Sequence, residues 1–372
     1  MSVVACHAEG EACDVVVGGI PHVRGQTMLH KQIEFMSHHE WRRDQLLNEP
    51  RGRCGLNAVF LLPPCSLGAK CGLLFAKNDE YVPVSVSSMI AAAHVIVNGP
   101  DAEIDRLKIP TTRFTFDTIA GAVDVDVNLK RESSNGFNIP KCQAVTVHGI
   151  PSFVFGLDYE LDLYGLGQIS IDVAYGGVIC AFVDADSVGV SIHDGNGQKM
   201  IEIGERIKNA LRELHDFVHP VQADLHGVST VVFTDRVDRD NSGSNTRKKT
   251  NMAAVISPGR LDRSPSGTAV FARLAVLYAR GDISKETLSC QSIIGTRLYG
   301  RIRGKTMVDK YEAILPSVTG RAWIHSLKQV GMNPGDPFPE GFRGADQWGP
   351  DEYKRGRTVT YDPHNLELPS GW

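Results

Sequence analysis

The stretch LDRSPSGTAVFARLAVLYARG, residues 261–281, changes character half-way along. Its first residues are an acid, a base, a proline and two serines, as in a loop, whereas apolar residues recur at helical spacing from Gly267 onwards. The pattern predicts a helix over residues 267–280. This helix lacks a polar face of ordinary width, so we expect protein to enclose it on most sides. A loop rich in small hydroxyls therefore leads into the N-terminus of a core helix.

The start of this helix has the properties of a binding site for a carboxylate. Backbone N–H groups there have no partner inside the helix, and the helix dipole is positive at that end. The amides of Gly267, Thr268 and Ala269 can therefore hold a carboxylate without a cationic side chain. Ser266 would then lie beside the α-carbon of a bound amino acid, and Asp262 would accept a hydrogen bond from its nitrogen. The alternative is that Ser266 only caps the helix.

A second segment of the same kind, VSVSSMIAAAHVIVNG, occupies residues 84–99. It also starts from a serine-rich loop, runs through small and β-branched apolar residues, and stops at a glycine. The similarity indicates an internal repeat, and the alternative is two unrelated core helices with serine caps. Elsewhere short β-type runs lie between Gly, Pro and Asn without regular alternation of strand and helix, which favours an α+β architecture.

Composition and charge exclude several classes of function. The 372 residues are 42% hydrophobic and 22% charged, which is typical of a soluble globular protein of about two domains. The formal net charge of −4 shows no excess of basic residues, so binding to nucleic acid is not indicated. No apolar run reaches about 18 residues and no leader-like segment is recognised, so we expect a cytoplasmic protein that does not bind membranes. Eight cysteines without a CxxC pair argue against zinc ribbons and disulfide frameworks.

Two further patterns are discounted. His215 and His219 have the spacing of a helical metal pair, but no third ligand is evident and histidine is common near helix C-termini. Glycine-containing runs such as YGLGQIS match neither GxGxxG nor the P-loop. The sequence therefore predicts neither a metal ion nor a nucleotide.

The segment DRSPSGTA, residues 262–269, is similar to the DRSPCGTG signature of the proline racemase family, in which the Cys is one of two acid–base residues. Four other segments resemble that family in the same order: HAEGEACDVVVGGIP (7–21), NEPRG (48–52), DVAYGGVICAFVDA (172–185) and LPSVTGRAWIHS (315–326). The family's other acid–base Cys lies in an MCGH segment, which falls on VSVS here and has Ser85 in the place of the Cys. A branch of the family that has MSGSN and DRSPTGTA at these two places resembles this chain more closely. The resemblance spans nearly the whole chain.

This resemblance implies a diaminopimelate epimerase-like fold, with two similar α+β domains related by a pseudo-twofold axis and strands wrapped around one central helix in each. We expect the first domain to comprise residues 1–157 plus 326–372 and the second to comprise residues 158–325. A proline-like imino acid would bind without a cofactor in the cleft between the two helix N-termini, and family members are often homodimers. The implied site has Ser85 and Ser266 as catalytic residues and Val86, Ser87, Asp262, Gly267, Thr268 and Ala269 as substrate-binding residues.

Serine at both acid–base positions leaves three hypotheses. The first is a hydro-lyase that dehydrates trans-3-hydroxy-L-proline with Ser85 as the base, since elimination needs proton abstraction on one face only. The second is a racemase or epimerase of proline or 4-hydroxyproline that uses both serines. The third is a catalytically silent protein that binds an imino acid, because a hydroxyl is a far poorer base than a thiol unless another group takes its proton. His94 does not fill that role, since nine residues span about 13 Å along a helix.

Overall fold

The order of strands and helices in the first half of the chain recurs in the second half. The computed structural model describes residues 1–134, 137–239, 247–333, 335–344 and 348. The first half contains β1 (Ser2–Ala8), β2 (Glu11–Gly18), α1 (Met28–Leu47), β3 (Asn57–Leu62), β4 (Cys71–Ala76), β5 (Tyr81–Val82), α2 (Val86–Asn98), β6 (Thr111–Thr118), β7 (Gly121–Ser134) and β8 (Phe137–His148). The second half contains β9 (Ser152–Leu163), β10 (Gly167–Tyr175), β11 (Ile179–Asp184), α3 (Gly197–Leu214), β12 (Thr230–Thr234), β13 (Asp238–Arg239), β14 (Arg247–Ile256), β15 (Arg260–Leu261), α4 (Gly267–Ala279), β16 (Thr287–Gln291), β17 (Arg297–Val308) and β18 (Tyr311–Gly320), and the last strand is β19 (Ala322–Gln329). Short 3-10 turns occupy Ile104–Arg106, Asp186–Val188 and Asp194–Asn196.

The pairing of the strands repeats as well. In the first half β1 and β2 are antiparallel, β2 and β3 parallel, β3 and β4 antiparallel, and β4 and β6 parallel, after which β6, β7 and β8 form a meander. In the second half the same series runs through β10, β11, β12, β14 and β16 and ends in a meander of β16, β17 and β18. The helix α2 precedes β6 as α4 precedes β16, and both helices have 13 residues. The internal repeat predicted from the two serine-led helices is confirmed.

Two strands tie the halves together. β18 pairs with both β8 and β9, and β19 returns to pair with β1 over Ser2 opposite Gln329 to Ala8 opposite Ala322. The predicted limits at residues 157 and 326 fall inside β9 and β19. Those domain limits, the homodimer and the cytoplasmic location stay predictions, and residues 349–372 of the first domain lie outside the described residues. In the described part of the chain, no helix combines the length and the apolar character needed to cross a membrane.

The helices α2 and α4 are almost entirely enclosed by strands. In α2 the run Met89–Ala93 has no measurable exposure, and in α4 the same holds for Ala269–Ala272 and Leu274. These residues share one hydrophobic core with strands of both halves. Burying each larger apolar side chain contributes about 1.5–3 kcal/mol, and the alanines let neighbouring backbones approach closely. The apolar sequence of both helices therefore places them in the core. Packing along their length holds their N-termini in place.

Gly176, just after β10, allows α4 to lie close to that strand. A Cβ atom at Gly176 would lie 2.4 Å from the backbone nitrogen of Ala272 and 2.4 Å from the carbonyl oxygen of Thr268. Both neighbours are main-chain atoms of α4, so they cannot turn aside as the end of a flexible side chain would. The glycine of the YGG segment therefore sets how closely α4 approaches the sheet.

We expect Gly176→Ala to lower the free energy of unfolding by about 3 kcal/mol or more, because the added methyl group overpacks a backbone contact. Urea unfolding followed by circular dichroism measures the change. The matched control is Gly331→Ala, since no atom lies within 4 Å of a Cβ at that exposed position. Equal stability of the two variants would contradict the close approach of α4 to β10.

Candidate active site

The N-termini of α2 and α4 meet at their first residues, Val86 and Gly267. A Cβ on Gly267 would lie 2.4 Å from both Cβ and Cγ1 of Val86, so only the hydrogen of a glycine fits between the two helices. The unpaired N–H groups of both first turns therefore lie close together. Two positive helix ends directed at one place favour a negatively charged ligand there.

A small cavity of about 40 Å³ lies at this meeting point. Of the predicted site residues, it is lined by Ser85, Val86, Ser87, Asp262, Ser266, Gly267 and Thr268. Ala269 is fully buried and does not line the cavity. A volume of this size holds about one or two water molecules and is well below that of a small-molecule site, so the cavity must widen before an imino acid can enter.

The Ser85 side chain forms its hydrogen bonds within its own helix. Its oxygen accepts a hydrogen bond from the backbone nitrogen of Ser88 at 3.4 Å, and its hydroxyl donates to Ser88 Oγ at 2.9 Å. Ser87 Oγ lies 3.4 Å away. Cys13 lies beside Ser88, and burial raises the pKa of that thiol well above its ordinary value. The Ser85 hydroxyl therefore donates to Ser88, whose neighbouring thiol is neutral and does not accept a proton as a base does.

Ser266 behaves differently from Ser85. Ser266 is the N-cap residue of α4, but its side chain makes no capping hydrogen bond, which argues against the alternative that it only caps the helix. Its backbone has φ 63° and ψ 105°, a conformation that residues with a side chain rarely adopt. Strain of this kind persists only where the surroundings impose it, and it is concentrated at functional sites.

The loop before α4 holds Ser266 in this conformation. Ser264 donates to Asp262 Oδ1 from its backbone nitrogen at 2.8 Å and from its hydroxyl at 2.9 Å. Ser264 Oγ also accepts a hydrogen bond from the backbone nitrogen of Ser266 at 3.1 Å. All three residues are buried. Asp262, Ser264 and Ser266 therefore form one hydrogen-bonded unit, and Ser266 lines the cavity.

Glu11 from β2 completes the polar wall of the cavity. Its carboxylate accepts hydrogen bonds from Asn57 Nδ2 at 2.7 Å and Arg260 Nη2 at 2.6 Å. A third comes from the backbone nitrogen of Arg263 at 2.9 Å. Burial alone would raise the pKa of Glu11, but Arg260 and these hydrogen bonds outweigh it and hold the pKa below its ordinary value. Glu11 is therefore ionised.

Asp262 forms a hydrogen-bonded carboxyl pair with Glu11. Burial, and next the charge of Glu11, raises the pKa of Asp262 to about 8, although Arg260 and Ser264 act in the opposite direction. Two adjacent carboxyl groups do not both ionise readily in a buried site. At neutral pH Asp262 therefore holds a proton and donates a hydrogen bond to the ionised Glu11.

Several cavity residues were not predicted from the sequence. They are Glu11, Asn57, Lys77, Val82, Val84, Val178, Thr230 and Ile256. Glu11 lies in the segment 7–21 that carries the family resemblance, so that motif was the available signal. Lys77, which pairs with Glu80 at 2.8 Å, has no such signal, because only the tertiary fold brings it to the cavity.

Comparison with known proteins decides the family. The sequence pattern described as proline racemase matches residues 3–343. The chain belongs to the proline racemase family. A 4-hydroxyproline 2-epimerase of Streptosporangium roseum is 34% identical over 340 residues, which are 91% of this chain and 97% of that protein.

Solved structures agree with this membership. A probable proline racemase of Agrobacterium radiobacter K84 with bound carbonate has a TM-score of 0.81 at 30% identity and covers 94% of this chain and 98% of its own. A hydroxyproline epimerase of Agrobacterium vitis with bound trans-4-hydroxy-L-proline has the same TM-score and identity and covers 95% of this chain and 98% of its own. A phenazine biosynthesis protein of the PhzF family from Bacillus anthracis, at 11% identity and TM-score 0.52 over 89% of this chain and 99% of its own, shares the fold alone. The predicted diaminopimelate epimerase-like fold of the proline racemase family is confirmed.

The raised pKa of Asp262 predicts a pH dependence of stability that Asp262→Asn removes. The folded pKa lies above the unfolded value, so the stability that the protonated carboxyl contributes is full below about pH 4 and is lost as pH rises towards 8. The slope from this single group is at most about 1.4 kcal/mol per pH unit. Asparagine keeps an acceptor for Ser264 and a donor for Glu11 without titrating.

Urea unfolding of both proteins from pH 5 to pH 9 measures the difference. We expect the wild type to lose stability relative to Asp262→Asn up to about pH 8 and to run parallel to it above that pH. Parallel curves over the whole range would show that Asp262 is ionised throughout.

Proposed function

We propose that the protein is a cofactor-independent racemase or epimerase of a proline-like imino acid, with 4-hydroxyproline as its substrate. One observation carries this proposal. Ser85 and Ser266 stand at equivalent positions of the internal repeat and line the same cavity, where the N-termini of α2 and α4 meet. The relatives from Streptosporangium roseum and Agrobacterium vitis support the substrate class.

The carboxylate of the substrate would bind between the two helix ends. Removal of the α-proton spreads negative charge onto this carboxylate, and fixed N–H groups stabilise that charge without reorganisation. Gly267 and Thr268, at the start of α4, both line the cavity in which this carboxylate would lie. The nitrogen of the substrate would face Asp262, whose carboxyl lines the same cavity.

Inversion at the α-carbon requires one group on each face of the substrate. Ser85 belongs to the first half of the repeat and Ser266 to the second, and in this proposal each would supply a hydroxyl on one face of the ligand. A hydro-lyase acting on trans-3-hydroxy-L-proline would need one face only. The paired arrangement thus favours epimerisation over dehydration. The hypothesis of dehydration rests on Ser266 at the position of the family's second Cys.

The partners of Ser85 favour a second candidate, a silent protein that binds an imino acid. A serine hydroxyl acts as a base only when a neighbouring group takes its proton. Among the described residues the hydroxyl of Ser85 bonds only to Ser87 and Ser88. The catalytic and the silent candidates therefore predict different rates of proton exchange on the same bound ligand.

Exchange of the α-proton in D₂O separates the candidates. The protein is incubated with L-proline, trans-4-hydroxy-L-proline and trans-3-hydroxy-L-proline, and products are followed by proton NMR and chiral chromatography. We expect deuterium at the α-carbon of trans-4-hydroxy-L-proline together with inversion. Formation of a pyrroline from trans-3-hydroxy-L-proline would instead support the hydro-lyase. Binding without exchange of any ligand would support the silent protein.

Thiols at the two serine positions test the geometry apart from the chemistry. A Cys at a helix N-terminus has a pKa at or below about 8.5 and is a far better base than a hydroxyl. We expect the double variant Ser85→Cys with Ser266→Cys to exchange the α-proton at least tenfold faster than the wild type, with inversion. Each single variant should exchange faster but largely without inversion.

Ser87→Cys is the matched control, because it adds a thiol to the same cavity at a position without an acid–base role. Acceleration by Ser87→Cys equal to that of the double variant would show that any thiol suffices. Such a result would reject the assignment of Ser85 and Ser266 to opposite faces.

A further inference from the structure

A second cavity lies beside α4, away from its N-terminus. It has a volume of about 370 Å³, which is within the range of small-molecule sites. Four cationic side chains line it, Arg236, Lys248, Arg273 and Arg280, together with five acidic ones. Of the cations, Arg273 comes from α4 itself, six residues after Gly267. This cavity shares no lining residue with the candidate active site.

Arg273 is partly buried, and its guanidinium has no hydrogen-bond partner among the described residues. Its Nε is inaccessible to solvent and bonds to no group in the part of the chain that the structure describes. The contact of its guanidinium with an aromatic ring is long, since Cζ lies 5.7 Å from the centroid of Phe182. A guanidinium carries five donors and stays charged in proteins. Leaving the buried Nε donor unpaired is costly, and the two terminal nitrogens are not among the buried atoms.

Arg280 occupies two of the five acidic side chains, Asp158 and Asp172. Arg280 Nη2 lies 2.6 Å from Asp172 Oδ1 and 2.7 Å from Asp158 Oδ1. Asp172 Oδ1 also accepts from the backbone nitrogen of Asp158 at 3.0 Å. Burial lowers the pKa of Arg273 from its ordinary value, and Asp172 and Asp282 offset this only through space. The terminal nitrogens of Arg273 therefore remain available to the cavity that the residue lines.

We propose that this cavity is a binding site for a small oxyanion, a carboxylate or a phosphate, held by the guanidinium of Arg273. The planar fork of an arginine matches the two oxygens of such a group and forms paired, charge-assisted hydrogen bonds with it. The acidic side chains around the cavity disfavour a polyanion. They favour a ligand that carries hydroxyl or ammonium donors beside its single anionic group.

Thermal unfolding of the full chain with two probes tests this site. The probes are inorganic phosphate and glycolate, a carboxylate with a neighbouring hydroxyl, each titrated at constant ionic strength against sodium chloride. We expect the wild-type Tm to rise with the concentration of at least one probe, as it does for any ligand that binds the folded state. A larger effect of phosphate or of glycolate identifies which oxyanion the site takes. If neither probe raises the Tm beyond the effect of chloride, water satisfies Arg273 and the proposal fails.

Arg273→Met separates binding from a purely structural role. This variant keeps most of the side-chain volume and removes the charge, so we expect at least a tenfold loss of probe affinity. Without a probe its Tm should equal or exceed that of the wild type, because a partly buried charge without a protein partner has been removed. Arg273→Lys should bind more weakly than the wild type, since an ammonium lacks the fork.

Arg301→Met is the matched control, because Arg301 lies outside this cavity and bonds to Thr287 Oγ1 at 2.6 Å. We expect it to keep the probe affinity of the wild type. Unchanged probe affinity in Arg273→Met would overturn the assignment of the oxyanion to Arg273. A Tm of Arg273→Met several degrees below the wild type in probe-free buffer would show that Arg273 is a packing residue and would also overturn it.

Discussion

The contact between Val86 and Gly267 governs the rest of the structure. It brings together two helix ends of the same sign, which repel each other through their dipoles. The arrangement persists because α2 and α4 are buried along nearly their whole length in a core shared with both halves. An anion between the helix ends would relieve the repulsion. The packing of two apolar helices thereby creates a place of positive potential without a lysine or arginine directed into it from either helix end.

Around this point the two halves contribute unequal chemistry. The first half supplies Ser85 as a helix cap and Glu11 as an ionised, firmly held carboxylate. The second half supplies Ser266 in a strained conformation and Asp262 as a proton-bearing carboxyl. A neutral acid does not attract a cationic nitrogen, so binding such a nitrogen beside Asp262 would drive its proton off. The repeat is therefore symmetrical in the order and pairing of its elements and asymmetrical in charge and in the backbone of its two serines.

Much of this architecture could be predicted from the sequence. The apolar run after Gly267 predicted a helix over 267–280, and α4 spans Gly267–Ala279. Its likeness to residues 84–99 predicted the repeat, and the motifs predicted that Ser85 and Ser266 would share a cavity. The partnership of Glu11 with Asp262 had no local signal, because these residues come from strands and loops far apart in the chain. The same holds for the backbone of Ser266, since serine gives no sign of a positive φ.

The return of β19 to β1 has a consequence for how the chain is made. β1 lies between β2 and β19, and Lys328 of β19 holds the buried Asp14 of β2 at 2.8 Å. Until the ribosome has released the residues of β19, one edge of β1 has no partner, although the rest of the first half has long been synthesised. An unpaired apolar edge invites association with other nascent chains. Rapid translation of the second half, or a chaperone bound at that edge, would therefore protect the protein during its synthesis.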